Sequence, residues 1–215
     1  MKKRQHIGKV TYPKVFWLFM ICSVIGVGIE GVWYYFKHGH WETHVVSIWG
    51  PFCIIYGIAA VLFYIIGHAL HGNNVLVKLA ATGAAVTVVE LICGFLLKYA
   101  LNMKAWDYSG YPMNFKGIIC VKMSVIWGLA GVVFCLMLPL IDDGLDWLTG
   151  NFWEITCLLL TVFMAVNLIL TGICLWRWSQ RHKEHKPSNS FMKMIDDKYD
   201  DDYMSDRFCE WHFLD

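Results

Sequence analysis

Two carboxylates and one ammonium group stand inside long apolar stretches of this 215-residue chain. Glu30 lies in the first stretch, Glu90 in the third, and Lys122 near the start of the fourth. An ionised side chain near the centre of a bilayer costs about 2.5 to 3.5 kcal/mol on insertion scales, so such residues usually face protein or a water-filled cavity. These three residues are therefore the first candidates for a polar intramembrane pocket that holds a small solute or ion.

Glu30 and Glu90 are predicted to lie at the same membrane depth. Each follows the start of its apolar stretch by fifteen residues, and the two helices run in the same direction. At a rise of about 1.5 Å per residue, the two carboxyls then share one layer of the membrane. Lys122 begins a helix of the opposite direction, so it falls in the same half of the bilayer.

A proline and a polar loop complete the predicted pocket. Pro51 follows Gly50 within an apolar stretch, and a proline there removes the backbone hydrogen bond to the carbonyl of Ser47. Irregular backbone at membrane depth is tolerated only where protein or a cavity lines it. A polar loop with two tyrosines and a tryptophan is expected to cover the same layer. The full candidate set is Glu30, Gly50, Pro51, Tyr56, Glu90, Trp106, Asp107, Tyr108, Asn114 and Lys122.

A purely structural role for these polar groups is the main alternative. A glutamate paired with Lys122, or hydrogen-bonded to Tyr56, Thr87 or Asn114, would simply hold helices together, and exposure nearer the interface is a third reading. Glu90 shares a helical face with small residues at Gly83 and Gly94. Small residues allow close helix approach, so Glu90 is predicted to face protein rather than lipid.

Five apolar stretches set the predicted architecture, which is an all-α polytopic membrane helix bundle in the lipid bilayer of the cell membrane. Hydrophobic residues make up 57% of the chain and charged residues only 16%, against about 25% in soluble domains. Each stretch approaches or exceeds the roughly 20 residues of a spanning helix and must be helical, because backbone polar groups in lipid need internal partners. The five stretches are 15–36, 45–70, 75–101, 118–141 and 152–176.

Charge divides the chain into a basic N-terminal segment at 1–14, a membrane bundle at 15–176 and a charged soluble tail at 177–215. The bundle carries fourteen charged residues, whereas the 39 tail residues carry sixteen. The simplest expectation for this tail is a solvated, partly disordered segment. Lysine and arginine flank both ends of the bundle, and the positive-inside rule cannot place both ends in the cytoplasm with five helices. A cytoplasmic N-terminus is favoured, the side of the tail stays open, and a re-entrant element within 104–124 would remove the conflict.

Several function classes have no support in the sequence. A net charge of +1 gives no electrostatic case for nucleic acid. No GxSxG, HExxH or GxxxxGK[ST] pattern occurs, so the chain is not predicted to be an enzyme and no cofactor is expected. His38, His40 and His44 with Glu42 fit no tight zinc spacing, so a wet histidine-rich loop is favoured over a metal site.

An ordered series of motifs between residues 26 and 131 carries a family resemblance. The series resembles the CmpB-like family of ABC-transporter (type IV) permeases. It comprises GVGIE ending at Glu30, GPFCIIYG starting at Gly50, ELICG starting at Glu90, WDYS starting at Trp106 with Asn114, and WG at 127–128.

The resemblance implies a multi-pass bacterial membrane protein that acts in transport with a separate ATPase subunit. The short loops at about 71–74 and 142–150 are the expected docking points for that subunit. The chain departs from the family pattern at several positions where the family has Asn-Arg-Gly, proline, an acidic residue or a basic residue. Those positions are His44 to Val46, Ile54, Lys98 and Ile118.

The sequence is compatible with three functional hypotheses. The first is a transporter permease with a polar intramembrane pocket for a small solute or ion. The alternative is a non-transporting membrane assembly or sensor subunit, suggested by the charged tail and by the absence of an ATPase motif. An intramembrane enzyme that uses the carboxyls as acid and base is the third, but no nucleophile or metal motif accompanies it.

Overall fold

The computed structural model describes residues 8–214, and helices account for most of them. The prediction of an all-α bundle is confirmed. Residues 8–214 contain eight α-helices, which are α1 (Tyr12–His38), α2 (Ile54–Ala69), α3 (Val75–Phe95), α4 (Val121–Leu136), α5 (Leu138–Asp146), α6 (Asn151–His182), α7 (Ser190–Lys198) and α8 (Asp201–Arg207). One π-helical turn, Leu96–Ala100, continues α3.

Among the described residues, four two-residue strands form two small antiparallel ladders outside the helices. They are β1 (Met103–Lys104), β2 (Asn114–Phe115), β3 (Ile119–Cys120) and β4 (His212–Phe213). β2 pairs with β3 within the loop between α3 and α4, whereas β1 pairs with β4 from the far end of the chain. The second ladder therefore ties the tail to the loop that follows α3.

Local sequence explains where the main helices begin and end. Pro13 lies in the first turn of α1, where its missing N–H has no helical partner to lose. Gly39 ends the same helix in the left-handed region at φ 79°, and its N–H donates to the carbonyl of Tyr35. Asn74 caps α3, because its side chain accepts from the backbone N–H of Val77.

In the part of the chain that the structure describes, three helices are long and apolar enough to cross a membrane: α1, α3 with its π-helical turn, and α6. α4 and α5 together make a fourth crossing if they count as one span, although they are bent by 61° at their junction. Pro139 lies in the first turn of α5, where a proline cannot continue the preceding hydrogen-bond ladder. α2 is apolar but has only 16 residues.

The predicted second helix starts too early. Residues 45–53 are not helical, and α2 begins at Ile54. Gly50 has φ 72°, a conformation that residues other than glycine rarely adopt, and it lies in the loop that precedes α2. The expected helix break at Gly50 and Pro51 is therefore wrong. The marked bend in a candidate span lies instead at the α4–α5 junction, and 104–124 does not form a re-entrant helix.

Small residues bring α3 and α4 into close contact. A Cβ added to Gly83 would lie 2.6 Å from the carbonyl oxygen of Ser124, and one added to Gly128 would lie 2.7 Å from that of Leu79. Thr87 on α3 also hydrogen-bonds Ser124 on α4 over 2.7 Å. Such packing is typical of membrane helix pairs that approach through small residues.

The tail is folded rather than partly disordered in the structure. Arg177 is 2% exposed, and its guanidinium makes a bidentate pair with Asp196 at 2.6 and 2.9 Å. Arg181 pairs with the same carboxylate at 2.7 Å. A hydrophobic core beneath these pairs draws on α6, α7, α8, β1 and the loop before α2. Its buried members are Ile48, Met103, Cys174, Leu175, Trp178, Ile195, Tyr199, Met204 and Phe208.

The two ends of the described chain lie at opposite ends of α1. Lys14, in the first turn of α1, contacts Asp142 and Asp146 on α5. The tail contacts the loop that follows α1, where Arg207 donates to the carbonyls of Ser47 and Gly50. The 27 residues of α1 separate these regions by about 40 Å.

Candidate functional site

Glu90 is a buried carboxylate on the face of α3 that meets α4. Glu90 is only 4% exposed, which confirms the prediction that its side chain faces protein. Oε1 accepts hydrogen bonds from Trp127 Nε1 at 3.0 Å and from Tyr108 Oη at 3.2 Å. Oε2 is buried without a hydrogen-bond partner among the described residues. An unpartnered buried oxygen costs free energy, so this atom is available to accept a hydrogen bond from a ligand.

Trp127 is the residue that sequence reasoning did not place in the site. It stands on α4, donates to Glu90, and packs edge-on against Tyr56 of α2 with ring centroids 5.5 Å apart. The WG pair at 127–128 contributed to the family resemblance, but a tryptophan in an apolar stretch gives no other signal of a polar role. Its position opposite Glu90 depends on the close α3–α4 contact at Gly83 and Gly128.

Glu30 joins the site through Tyr56. The Tyr56 hydroxyl donates to Glu30 Oε1 at 2.7 Å, which connects α1 to α2. Gly26 makes this contact possible, because a Cβ at that position would lie 2.6 Å from the Tyr56 side chain. Glu30, Tyr56, Trp127, Glu90 and Tyr108 thus form a continuous chain of polar and aromatic contacts, which we name the carboxylate chain.

The loop between α3 and α4 supplies Tyr108 to the carboxylate chain. Burial first, and then the nearby Glu90 carboxylate, raises the pKa of Tyr108 above its ordinary value, so its hydroxyl keeps its proton and can donate. This loop therefore reaches the buried carboxylate as the sequence predicted.

Trp106, Asp107 and Asn114 shape the loop rather than touch the carboxylates. Trp106 donates its indole N–H to the carbonyl of Ile118 at 2.8 Å. Asn114 donates to the carbonyls of Ser109 and Tyr111, and it accepts from the N–H of Gly117.

Asp107 has its own ion pair within this loop. Hydrogen bonds from Lys104 and Ser109 hold the pKa of its carboxyl well below the usual range, so Asp107 is ionised. Its negative charge is thereby compensated inside the loop and is not directed toward the carboxylate chain.

The remaining predicted site residues have other partners. Lys122 is exposed, with its Nζ 4.5 Å from the centre of the Tyr111 ring, and it forms no ion pair with Glu30 or Glu90 in the described structure. Gly50 and Pro51 are exposed in the loop before α2, where the Gly50 carbonyl accepts from Arg207 of the tail. The structure thus gathers four of the ten predicted residues, Glu30, Tyr56, Glu90 and Tyr108.

A second buried polar cluster lies at the opposite end of the bundle and was not predicted. Asp142 on α5 is 1% exposed and accepts from Tyr64 Oη at 2.6 Å and from the backbone N–H of Gly8 at 3.0 Å. Lys14 lies 3.5 Å from Asp142 and 2.7 Å from Asp146. His68 Nε2 lies 3.3 Å from Asp142 without hydrogen-bond geometry. These contacts join α1, α2 and α5.

The histidine-rich loop after α1 contacts the tail. His44 is 9% exposed, and its Nδ1 lies 2.7 Å from Glu210 Oε2. The rings of His38, His40 and His44 all pack against Tyr34. Within residues 8–214, no three histidine, cysteine or acidic side chains are arranged to hold a metal ion.

The carboxylate chain can accept hydrogen bonds and balance positive charge. Its two acids stand on α1 and α3, and aromatic side chains from α2, α4 and the loop link them through hydrogen bonds and a ring contact. Four helices and the loop between α3 and α4 therefore meet at the carboxylate chain. Together with the apolar helices, this arrangement defines a multi-helix membrane protein with an acidic, aromatic site within the bundle.

Comparison with known proteins identifies the family. A family model described as "Putative ABC-transporter type IV" matches residues 17–172, which include all five members of the carboxylate chain. The chain belongs to this ABC_trans_CmpB family, and the expected resemblance is confirmed. No curated protein and no solved structure gives a significant match to the chain.

Proposed function

We propose that this chain is the membrane-spanning permease component of a transport system in the cell membrane, and that the carboxylate chain holds a small solute or ion during passage. The observation that carries the proposal is the buried Glu90 carboxylate, one oxygen of which has no hydrogen-bond partner in the described structure. Burying such a group costs free energy, and a bound solute or ion offsets this cost by supplying the missing donor or charge.

A purely structural polar cluster explains fewer of the contacts. A cluster that served only to hold helices together would satisfy both oxygens of its most buried carboxylate, because partly satisfied buried networks are less stable than apolar packing. Glu90 instead places both hydrogen bonds on Oε1. The unsatisfied Oε2 supports a site that binds another molecule.

Membership of an ABC-transporter family supports a separate ATPase subunit as the energy source. The proposed docking surface is the end of the bundle that carries α5 and the turn at 70–74. On α5, Leu140 is 67% exposed, and Trp147 immediately after the helix is 84% exposed. The role is one of binding and transport rather than catalysis.

Flux measurements test the proposal directly. The full-length protein, reconstituted in proteoliposomes with and without co-purified ATPase, is expected to conduct a solute from a broad radiolabelled panel. Glu30→Gln and Glu90→Gln preserve shape but remove charge, so each should reduce that flux at least tenfold, whereas Glu154→Gln at the start of α6 should leave it unchanged. Equal flux in all four proteins would show that the carboxylate chain is not a transport site.

A non-transporting assembly or sensor subunit is the second candidate, and the folded tail favours it. α7 and α8 expose several acidic residues, among them Asp197, Asp201, Asp202 and Asp206, on a segment that Arg177 and Asp196 hold in a fixed position. A rigid acidic surface is suited to a protein partner. Purification in mild detergent distinguishes this candidate, because an isolated chain with no co-purifying protein would argue against it.

A further inference from the structure

The two carboxyl groups of the carboxylate chain are not paired with a basic side chain. In the part of the chain that the structure describes, neither Glu30 nor Glu90 forms an ion pair with a lysine, arginine or histidine. The one lysine near the start of α4, Lys122, lies over Tyr111 instead. The hydrogen bonds that the two acids receive come from the neutral donors Tyr56, Tyr108 and Trp127.

Aromatic rings surround these acids on several elements. Tyr56 and Trp127 are in edge-to-face contact at 5.5 Å, and Tyr108 reaches Glu90 from the loop. Aromatic faces attract cations, and the attraction increases when water is excluded. A small organic cation therefore suits this lining better than an anion or a neutral sugar would.

The arrangement is less suited to a metal cation. Calcium takes about six to eight oxygen ligands, and magnesium requires nearly ideal octahedral geometry. Glu90 Oε2 is an unpartnered oxygen, whereas Glu90 Oε1 and Glu30 Oε1 already accept hydrogen bonds from the protein. A single N–H donor satisfies Oε2 without further ligands.

Charges near the site indicate the direction of approach. The cavity beyond Gly94 is lined by Lys98, Lys104 and Lys116 and by one acid, Asp107, so its net positive charge disfavours entry of a cation from that side. Glu30 is partly exposed on the other side, where it lies near His44 together with Glu42 and Glu210. These acidic groups favour the approach of a cation along α1.

We propose that the ligand of the carboxylate chain is a small organic ammonium ion, which donates an N–H to Glu90 Oε2 and places its positive charge among Glu30, Tyr56 and Trp127. This inference rests on the proposed function, because it names the substrate class of the same site. Glu90 is the anchor for the N–H group, and Glu30 neutralises charge at the entry side. Tyr108 fixes the orientation of the Glu90 carboxylate.

Calorimetric titration of the full-length protein in phosphatidylcholine nanodiscs tests the ligand class. Methylammonium chloride is expected to bind saturably, and tetramethylammonium chloride, which has no N–H, at least tenfold more weakly. Sodium chloride and sodium acetate at the same ionic strength should give no saturable heat. Glu90→Gln should weaken methylammonium binding at least tenfold, whereas Glu154→Gln should not change it.

Two controls keep the result interpretable. If Glu90→Gln lowers the unfolding temperature so far that the protein is not folded, Glu30→Gln and Tyr108→Phe carry the test, with losses of threefold or more expected. Absence of methylammonium binding, or binding that all of these variants retain, would overturn the ammonium inference. If a neutral or anionic solute is transported and its flux depends on both glutamates, the ammonium inference fails while the proposed transport function stands.

Discussion

Trp127 on α4 donates its indole N–H to Glu90 on α3 over 3.0 Å, and Glu90 is buried while Trp127 is half-buried. This hydrogen bond joins two helices that already approach closely through glycine. It also fixes which carboxylate oxygen is used by the protein and which is left for a ligand. The pair is therefore the centre of both the packing and the proposed binding site.

Replacing Trp127 should destabilise the protein through Glu90 specifically. Trp127→Phe keeps an aromatic ring but removes the N–H, and loss of a hydrogen bond to a charged group costs about 1.5 to 3 kcal/mol. Thermal unfolding in detergent should show this loss, and Glu90→Gln combined with Trp127→Phe should be less than additive. Trp33→Phe is the matched control, because Trp33 is 66% exposed on α1. Additive effects would mean that the two side chains are not coupled.

Docking of the tail onto the histidine-rich loop should weaken as the pH rises. Burial lowers the pKa of His44, but the hydrogen bond and charge of Glu210 outweigh it, so the net shift is upward. A raised pKa means that the contribution to stability is complete below the ordinary histidine value of about 6.5 and is lost above the folded value. Glu210 is 42% exposed, so we expect a contribution of only about 1 kcal/mol.

Hydrogen exchange of 201–214, corrected for intrinsic rates, measures this effect between about pH 6 and about pH 8.5. Exchange should become about fivefold faster at the higher pH, as expected for about 1 kcal/mol. His44→Gln should remove the pH dependence. A variant that retained it would assign the effect to another group.

Asp196 should be essential for the position of the tail. Burial raises the pKa of the Asp196 carboxyl. Hydrogen bonds from Arg177 and Arg181 lower the pKa by more than burial raises it, so the net pKa is below the ordinary value. The ion pairs therefore persist at neutral pH and are lost only in acid. Asp196→Asn leaves the buried Arg177 without a counter-charge, and such a change costs about 3 to 5 kcal/mol.

Protease sensitivity in the segment 183–189 reports this change, because release of α7 would free this exposed segment to adopt the extended conformation that proteases cut. Asp196→Asn should be cut at least tenfold faster than the original protein. Asp197→Asn removes the same charge from the next, exposed position and should be cut at the original rate. Equal rates for the two variants would contradict an anchoring role for Asp196.

The close contact of α3 and α4 should not tolerate a methyl group at Gly83. The added Cβ of Gly83→Ala would lie 2.6 Å from the backbone oxygen of Ser124, so the helices must separate, at a cost of about 1 to 3 kcal/mol. Gly172→Ala on α6 meets nothing within 4 Å and should be neutral or stabilise the helix by up to about 1 kcal/mol. Thermal unfolding of both variants gives the comparison. Similar unfolding temperatures would mean that the two helices are not in tight contact in the membrane.

The two ends of the bundle should lie on opposite sides of the membrane. Lys9→Cys and Lys186→Cys, each in a Cys209→Ser background, place one exposed thiol at either end. In sealed vesicles of one orientation, a membrane-impermeant maleimide should label only one of the two variants. Labelling of both would show that the chain crosses the membrane an even number of times.

Much of the helical architecture follows from the sequence, because apolar stretches of sufficient length have no stable alternative to a helix in lipid. The start of α2 could not be predicted this way. Val45, Val46 and Ile48 are as apolar as a membrane helix, but in the structure they pack in a loop, and Ile48 joins the core of the tail. That packing depends on residues more than 125 positions away in the sequence.

The candidate site was predictable only in part for a related reason. An isolated glutamate stands out in an apolar stretch, so Glu30 and Glu90 could be predicted as site residues from the sequence. The partner role of Trp127 depends on the relative position of α3 and α4, which glycine contacts determine in three dimensions. Lys122 was wrongly expected in the site. Its sequence position suggested an ion pair with a glutamate, whereas its ammonium group lies over the Tyr111 ring.

The pairing of helices also bears on how the chain is made. α1 packs mainly on α2, and α3 on α4, so the most extensive helix contacts join neighbours in the sequence. Each helical hairpin can therefore assemble as soon as its second helix leaves the ribosome, before the rest of the chain is synthesised. Tyr56 and Trp127 belong to different hairpins, so their contact forms only when the two hairpins meet. The carboxylate chain is thus completed late in biosynthesis, by the association of two units that are already folded.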